Sequence, residues 1–419
     1  MGIPSKFKNL FRLSDEMRQD QTHEKKSSAT GHITVQFAQG QPQFTPRHYE
    51  PLAKEGYLKN VIAYRCIRLI AQNVAAIPLC VKSQTGQGVD LAVDHPLKTL
   101  LAQPNPMQSY AEFIEALCGF LLISGNGYIE SVGPDHMPAK ELWILRPDRM
   151  QIIPGKNGIP KSYRYAVNGQ YLDFPVDCVN GESQILHLKN FHPLNDWYGT
   201  SPMEAAAYSI DQHNEASKWN TALLQNAGRP SGALIYNPKE GDHSGLTDEQ
   251  RHQLKSDLES YYQGGQNAGR PLILEGGLDW REMALSPKDM DWRGGKDMAA
   301  RDIALAFNVP PQLVGVEGSL TYANFEQARL AFYDDAVLPL IDHICQELNG
   351  WLVPQFESQF NGNLKIDYDR NAIEALSPRR EKIWERINDA DFLTVNEKRH
   401  ALGFSRIDSP EADQLAEML

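Results

Sequence analysis

Ser201-Pro-Met-Glu-Ala-Ala-Ala-Tyr-Ser-Ile-Asp-Gln-His-Asn-Glu-Ala-Ser-Lys218 opens the stretch on which the fold turns, and the run continues through Asn226 to Gly228. Ser201 suits an N-cap, Pro202 the first helical position and Glu204 the capping-box partner. A helix is therefore predicted from here to Asn226, with Gly228 as its stop. Its middle, Asp211 to Lys218, is polar on nearly every face. A long helix of that kind buries no stripe in its own domain; it bridges domains, lines solvent or packs against copies of itself.

Working downstream, residues 231 to 285 read as a small insert. A strand (Ala233 to Tyr236) leads to a second capping box at Thr247-Asp-Glu-Gln250. The helix behind it carries Leu254, Leu258, Tyr261 and Tyr262 on one face. Two strands, Pro271 to Leu274 and Asp279 to Met283, are joined through Gly276-Gly277. A second helix, Lys296 to Phe307, stops at Val309-Pro-Pro311. Helix, compact insert, helix is the layout of a stalk with a knob at its tip. Residues 312 to 322 form a glycine-bearing loop, followed by a long helix from Ala323 to about Leu352 with a kink expected at Pro339. Leu364 to Tyr368 reads as a strand. Ser377 to Asn388 and Thr394 to Leu402 read as a helical pair, the second opened by a Thr394…Glu397 capping box.

Upstream, residues 1 to 45 are polar and read as a mobile arm, with order expected to begin near Tyr57. Leu58, Val61, Ile62, Cys66, Leu69 and Ile70 recur at helical spacing, and that helix ends before Pro78. A strand (Leu79 to Lys82), a turn at Gly86 to Gly88 and a short helix (His95 to Leu101) follow. Tyr110 to Ile123 is apolar on nearly every side and is expected to be a buried helix. Ser124-Gly-Asn-Gly127 hands it over to a strand, Tyr128 to Val132. Leu142 to Leu145, Gln151 to Ile153, Tyr163 to Tyr165 and Ile185 to Leu188 are further strands. The fold class is α+β, rich in helix.

Composition excludes several functions. Hydrophobic content of 41% and charged content of 22% fit a globular chain of two or three domains in 419 residues. No run approaches the ~18 consecutive apolar residues of a membrane span. No secretory h-region precedes the fold, and Lys6 stands where a myristoylation pattern needs Ser or Thr. Cys66, Cys80, Cys118, Cys178 and Cys345 are scattered, with no C-x-x-C pair, and read as reduced core thiols. The net charge of −12 argues against gripping nucleic acid by a broad basic face, but not against letting DNA pass. No P-loop, H-E-x-x-H or G-x-S-x-G motif occurs. Gly264-Gly265 and Gly294-Gly295-Lys296 have the wrong spacing for a phosphate loop. His187 and His192 read as ordinary polar residues, Asp334-Asp335 as solvated or interfacial carboxylates, and Ser124 to Tyr128 as a turn in place of a phosphate cradle. No catalytic, metal or cofactor set is expected.

The order of elements resembles the tailed-bacteriophage portal, or head–tail connector, protein family, found also in prophages and gene transfer agents. The segments that carry the resemblance are Val61-Ile-Ala-Tyr-Arg-Cys-Ile67 with Ala75-Ala-Ile-Pro-Leu79, Leu122-Ile-Ser-Gly-Asn-Gly-Tyr128, and Leu145-Arg-Pro-Asp148. Later come Tyr198-Gly-Thr-Ser-Pro202, Ile303-Ala-Leu-Ala-Phe-Asn-Val-Pro-Pro311 and Tyr322-Ala-Asn-Phe-Glu326. The resemblance implies a ring, twelvefold in assembled particles and so expected to be a dodecamer, with no enzymatic activity of its own. It implies a flexible arm (1–45), a wing (46–200 and 323–375), stem helices (201–228 and 287–310), a clip (229–286), a tunnel loop (311–322) and a short crown (376–419).

Expected partners are further copies of the chain, the major capsid protein, the large terminase, a head–tail adaptor and double-stranded DNA, with no membrane. Assembly is expected in the bacterial cytoplasm, and the final place at the head–tail junction of a virion or phage-like particle. Lys288, Arg293, Lys296 and Arg301 are the cations expected to face the channel. Glu317, Ser319, Thr321 and Tyr322 are expected there by position in the tunnel loop. Tyr236, Tyr261, Tyr262 and Trp280 are the expected docking residues of the clip. Two other readings stay open: a capsid-associated scaffold or interaction protein without a channel, and a hydrolase without a recognisable motif.

Overall fold

Capping chemistry and glycine placement set most element boundaries in the computed structural model. It describes residues 44–85, 88–91, 95–134, 137–155, 158–225, 232–236, 247–262, 278–282, 292–316, 322–357, 363–402 and 406–415. A short helix (Tyr49–Pro51) runs into a π-helical turn (Leu52–Leu58). In chain order there follow α1 (Val61–Ala75), β1 (Leu79–Thr85), β2 (Gly88–Leu91), α2 (Pro96–Ala102) and α3 (Tyr110–Ser124). Next are β3 (Asn126–Val132), β4 (Glu141–Leu145), β5 (Met150–Ile153), β6 (Ser162–Val167), β7 (Gln170–Pro175) and β8 (Ile185–Lys189). Then come α4 (Ala207–Gln225), β9 (Gly232–Tyr236), α5 (Asp248–Tyr262), β10 (Leu278–Glu282) and α6 (Trp292–Ala306). The chain continues with α7 (Tyr322–Phe332), α8 (Leu338–Trp351), β11 (Asn363–Tyr368), α9 (Ser377–Asn388) and α10 (Val395–Ala401).

These elements form two compact units. Among described residues, one is built from 68–200 and 322–415, the other from 44–67 and 201–316. The first unit holds three antiparallel sheets, ordered β11-β1-β2, β4-β3-β8 and β5-β6-β7. Pairing of β1 with β11 joins residues far apart in sequence, and Lys82 bridges Asp367 across it at 2.7 Å. Asn349 of α8 brackets β11, donating to Ile366 O at 2.7 Å and accepting from Ile366 N at 2.8 Å. α3 buries Phe113, Ile114, Leu117, Cys118 and Leu121, and lies so close to β3 that a Cβ on Gly127 would meet Leu117 Cδ1 at 2.8 Å. Tyr128, Leu145 and Ile185 form one core with Met150, Ile152, Tyr163, Tyr165 and Phe174 from the next sheet.

Several elements differ from the sequence reading. Residues 46–67, expected within the wing block, pack in the second unit, where Asn60 and Glu55 hydrogen-bond to α4. Ordered chain starts before Tyr57: Thr45 donates from its backbone to Asp211 at 2.9 Å, and Phe44 meets Tyr208 edge-on at 4.8 Å. Residues 1–43 of the expected arm lie outside the described residues. The helix at Ser201 forms in two pieces, Pro202–Ala205 and α4. The helix expected from Ala323 is divided by a π-helical turn (Tyr333–Val337), with Pro339 in the first turn of α8, where its missing N–H costs no helical bond. Within 312–322, a 3-10 turn (Pro311–Val314) precedes Gly315, whose φ of 80° suits glycine. β7 has no clear alternation and escaped the reading. β10 pairs antiparallel with β9; the strand expected at Pro271 to Leu274 lies outside the described residues.

Cys66, Cys118 and Cys345 are buried free thiols, Cys80 is half-buried and Cys178 exposed. Burial pushes the Cys66 thiol up to about 12, in keeping with a core role. Among the described residues no helix is long and apolar enough to cross a membrane.

Candidate functional site

The polar helix α4 does bury a stripe in its own unit. Ser201 caps the short helix Pro202–Ala205 that precedes it, its hydroxyl accepting from Glu204 N at 2.9 Å. Met203, Ala206, Ala207, Ile210, His213 and Asn214 are then buried at helical spacing. The expectation of no buried stripe fails because the two polar members are satisfied inside. Asn60, 1% exposed, donates to His213 Nδ1 at 3.2 Å and to Asn214 Oδ1 at 3.0 Å. Its own Oδ1 accepts from Ile62 N and Ala63 N, so it also caps α1. Asn214 donates to Glu55 O at 2.9 Å. At Gly56 an added Cβ would lie 2.3 Å from Met203 Sδ, so the buried methionine would have to move to admit it. The opposite side of α4 is wet: Gln212, Glu215 and Lys218 are exposed, the last two paired at 2.7 Å.

α6 packs beside α4 through small residues. Ala299, Ala300, Ile303, Ala304 and Phe307 are buried, with Ala206 and Ala207 among the buried residues of the α4 segment. Met298, Arg301, Asp302 and Leu305 face outward, Met298 and Leu305 being 67% and 73% exposed. Lys296 and Arg301 stand five residues apart, about 140° around the helix. They do not share a face. Lys296 is half-buried, and its charge helps burial to hold His213 below the usual imidazole value. Arg301 is exposed.

Of the other expected channel residues, Lys288, Glu317, Ser319 and Thr321 lie outside the described residues. Arg293 is in the first turn of α6 and Tyr322 opens α7, their side chains likewise outside the description. For the docking set, the register of β9 and β10 pairs Tyr236 with Leu278 and Trp280 with Leu234, while Tyr261 and Tyr262 end α5. The backbone brings Tyr236 and Trp280 into one strand pair; nothing places the two α5 tyrosines beside them.

In the first unit, two sequence segments quoted above meet in space. Gly125 ends α3 at φ 73°, and a Cβ there would lie 2.4 Å from the Thr200 carbonyl. A Cβ on Gly199 would lie 2.2 Å from Gly125 O. Asn126, 6% exposed, accepts from Gly199 N at 2.8 Å and lies 3.0 Å from His187 Nε2. Asn190 N donates to Gly125 O at 3.0 Å. Leu122-Ile-Ser-Gly-Asn-Gly-Tyr128 and Tyr198-Gly-Thr-Ser-Pro202 thus form a latch where the chain leaves the sheet for the Ser201 helix.

His187 stacks on Tyr128 at 4.4 Å, and burial pulls its imidazole down to about 3, so the ring is a neutral part of the core. The Asp334 carboxylate accepts two hydrogen bonds from Arg379, each 3.1 Å. Among the described residues no three His, Cys, Asp or Glu side chains gather as metal ligands.

The sequence pattern of the phage portal protein family matches residues 62–403. The chain belongs to that family. An uncharacterised protein of Rickettsia bellii is 43% identical over 84% of this chain and 89% of its own length. The portal protein of Enterobacteria phage HK97 is 27% identical over 82% of this chain and 78% of its own. A chain from the neck of an empty gene transfer agent particle, computed with C6 symmetry, shares 42% identity and a TM-score of 0.67 over 88% of this chain and 96% of that one. Its counterpart from a native particle, computed with C12 symmetry, gives 42% and 0.64 over the same shares. The α+β portal architecture expected from the sequence is the one these chains share.

Proposed function

We propose that this portal-family chain closes into a ring of twelve subunits at one vertex of a phage-like capsid and conducts double-stranded DNA during packaging and ejection. The observation that carries the reading is its 42% identity, over most of both chains, to the chain solved in the neck of a gene transfer agent particle computed with C12 symmetry. That likeness favours a particle of the gene-transfer-agent type, assembled in a bacterial cytoplasm.

In this reading α4 and α6 are the stem, and the β9, α5 and β10 region is the clip that holds the packaging motor and later the head–tail adaptor. The sheets with α7, α8 and β11 form the wing facing the capsid protein, and α9 with α10 the crown. The chain is no enzyme: the energy for threading comes from a separate ATPase, in keeping with the absence of a P-loop. An acidic chain suits a conduit, because DNA carries one phosphate charge per ~1.7 Å and a strongly basic bore would hold it fast. Arg301, exposed on α6, is a better channel cation than the half-buried Lys296.

Imaging the purified chain by electron microscopy tests this. Closed annuli with a hole wide enough for a duplex are expected. A protein that stays a monomer over all concentrations and salts would leave the non-channel scaffold reading in its place.

A further inference from the structure

Among the described residues, the helical pair α9–α10 is loosely packed. No residue of α9 is fully buried, and Ile383, Trp384, Phe392 and Val395 are 42%, 46%, 78% and 43% exposed. Between the helices lies a groove of about 460 Å³ lined by Trp384, Ile387, Asn388 and Leu402, with Glu385 and Lys398 also lining it. The turn joining the helices presents a different surface: Phe392 projects into solvent, flanked by the exposed carboxylates Asp389 and Asp391. One chain therefore carries both an aromatic knob with acidic neighbours and an apolar groove beside a basic helix end, Lys398 to His400. A closed ring of identical subunits needs such a pair of unlike, complementary faces, because each contact is heterologous.

We infer that Phe392 of one subunit seats in the Trp384–Leu402 groove of the next copy, with Asp389 and Asp391 over its Lys398 end. The occupant is a second copy of this chain because the apolar knob matches the apolar part of the groove, and the acidic flank of the knob meets the basic helix end Lys398 to His400 beside it, Glu385 being the one like charge among the described residues of the groove wall. The inference rests on the ring reading above and adds to it the surface that joins neighbouring crowns.

Two measurements on the full chain test it. With the exposed Cys178 replaced (Cys178→Ser), the double variant Phe392→Cys, Leu402→Cys is oxidised and run under denaturing, non-reducing conditions. The expected result is a shift of the monomer band into a ladder extending to the full ring, absent in either single variant. In the second, p-benzoylphenylalanine at position 392 of an otherwise native chain is irradiated, and the captured peptide is expected to map to α9 or α10 of another copy. This keeps the test open if the cysteine variant fails to fold. Dimers as the end point, links within one chain, or capture of a peptide outside the pair each overturn the contact. Rings seen by microscopy without the ladder and without the mapped peptide remove the contact and leave the ring. No rings and no ladder remove both.

Discussion

At the level of single residues, the chemistry of this protein lies in how buried polar groups are settled. Asn60 and Asn126 are each nearly sealed from solvent and fully engaged, one tying the N-terminal helical segment to α4, the other tying β3 to the Gly199 turn. Glu130 is different. It sits on β3 at 6% exposure, its Oε2 finds no hydrogen-bond partner, and burial pushes its carboxyl from 4.5 up to about 7. The folded state binds this proton more tightly than the unfolded one. Its stabilising effect is therefore complete below the unfolded value and is lost as pH rises through about 7. The Glu130→Gln variant should match the parent in stability in mild acid and exceed it above neutrality, by about 3 kcal/mol at most, seen as a higher Tm. Parallel pH curves for parent and variant would show that Glu130 is not strained. His187 has the opposite slope: its neutral form is the folded one, so its contribution is present above the usual imidazole value and falls away as pH drops toward about 3.

At the level of elements, the α4–α6 pair shows how helical geometry sorts charges that look equivalent in sequence. Lys288, Arg293, Lys296 and Arg301 form one basic series along the chain. The turn of the helix sends Lys296 inward toward His213 and leaves Arg301 outside. Charge reversal should separate them. Arg301→Glu is expected to keep Tm and alter DNA retention by the ring in a salt-dependent way. Lys296→Glu is expected to lower stability by about 1 kcal/mol or more, read as a lower Tm, with the imidazole of His213 shifted upward. Equal effects on retention with no loss of stability in either variant would return Lys296 to the bore. The same packing explains why α4 tolerates so polar a sequence: Asn60 supplies hydrogen bonds that a hydropathy pattern does not register.

On the scale of the whole molecule, surface left bare in one chain is the main signal. Leu58, Val61, Met298 and Leu305 in the second unit, and Trp384 and Phe392 in the first, are large apolar side chains in water. Association that covers such surface stabilises the fold by mass action. The Tm should rise with protein concentration and level off once rings are complete, whereas a monomer would melt at one temperature throughout. Calorimetry over a wide dilution series decides between them. The sequence by itself determined what depends on neighbours along the chain: the caps at Ser201, Thr247 and Thr394, the apolar helix ending at Gly125, the stops at Pro78 and Pro310, and the family. Tertiary structure alone decided what depends on contacts across the chain. It sent residues 44–67 to the second unit, closed the latch between Gly125 and Gly199, buried Glu130 and turned Lys296 inward. Periodicity reports which side of a helix is apolar, but a buried polar residue is permitted only by its hydrogen-bond partner, and for Asn60 those partners, His213 and Asn214, lie more than a hundred residues away.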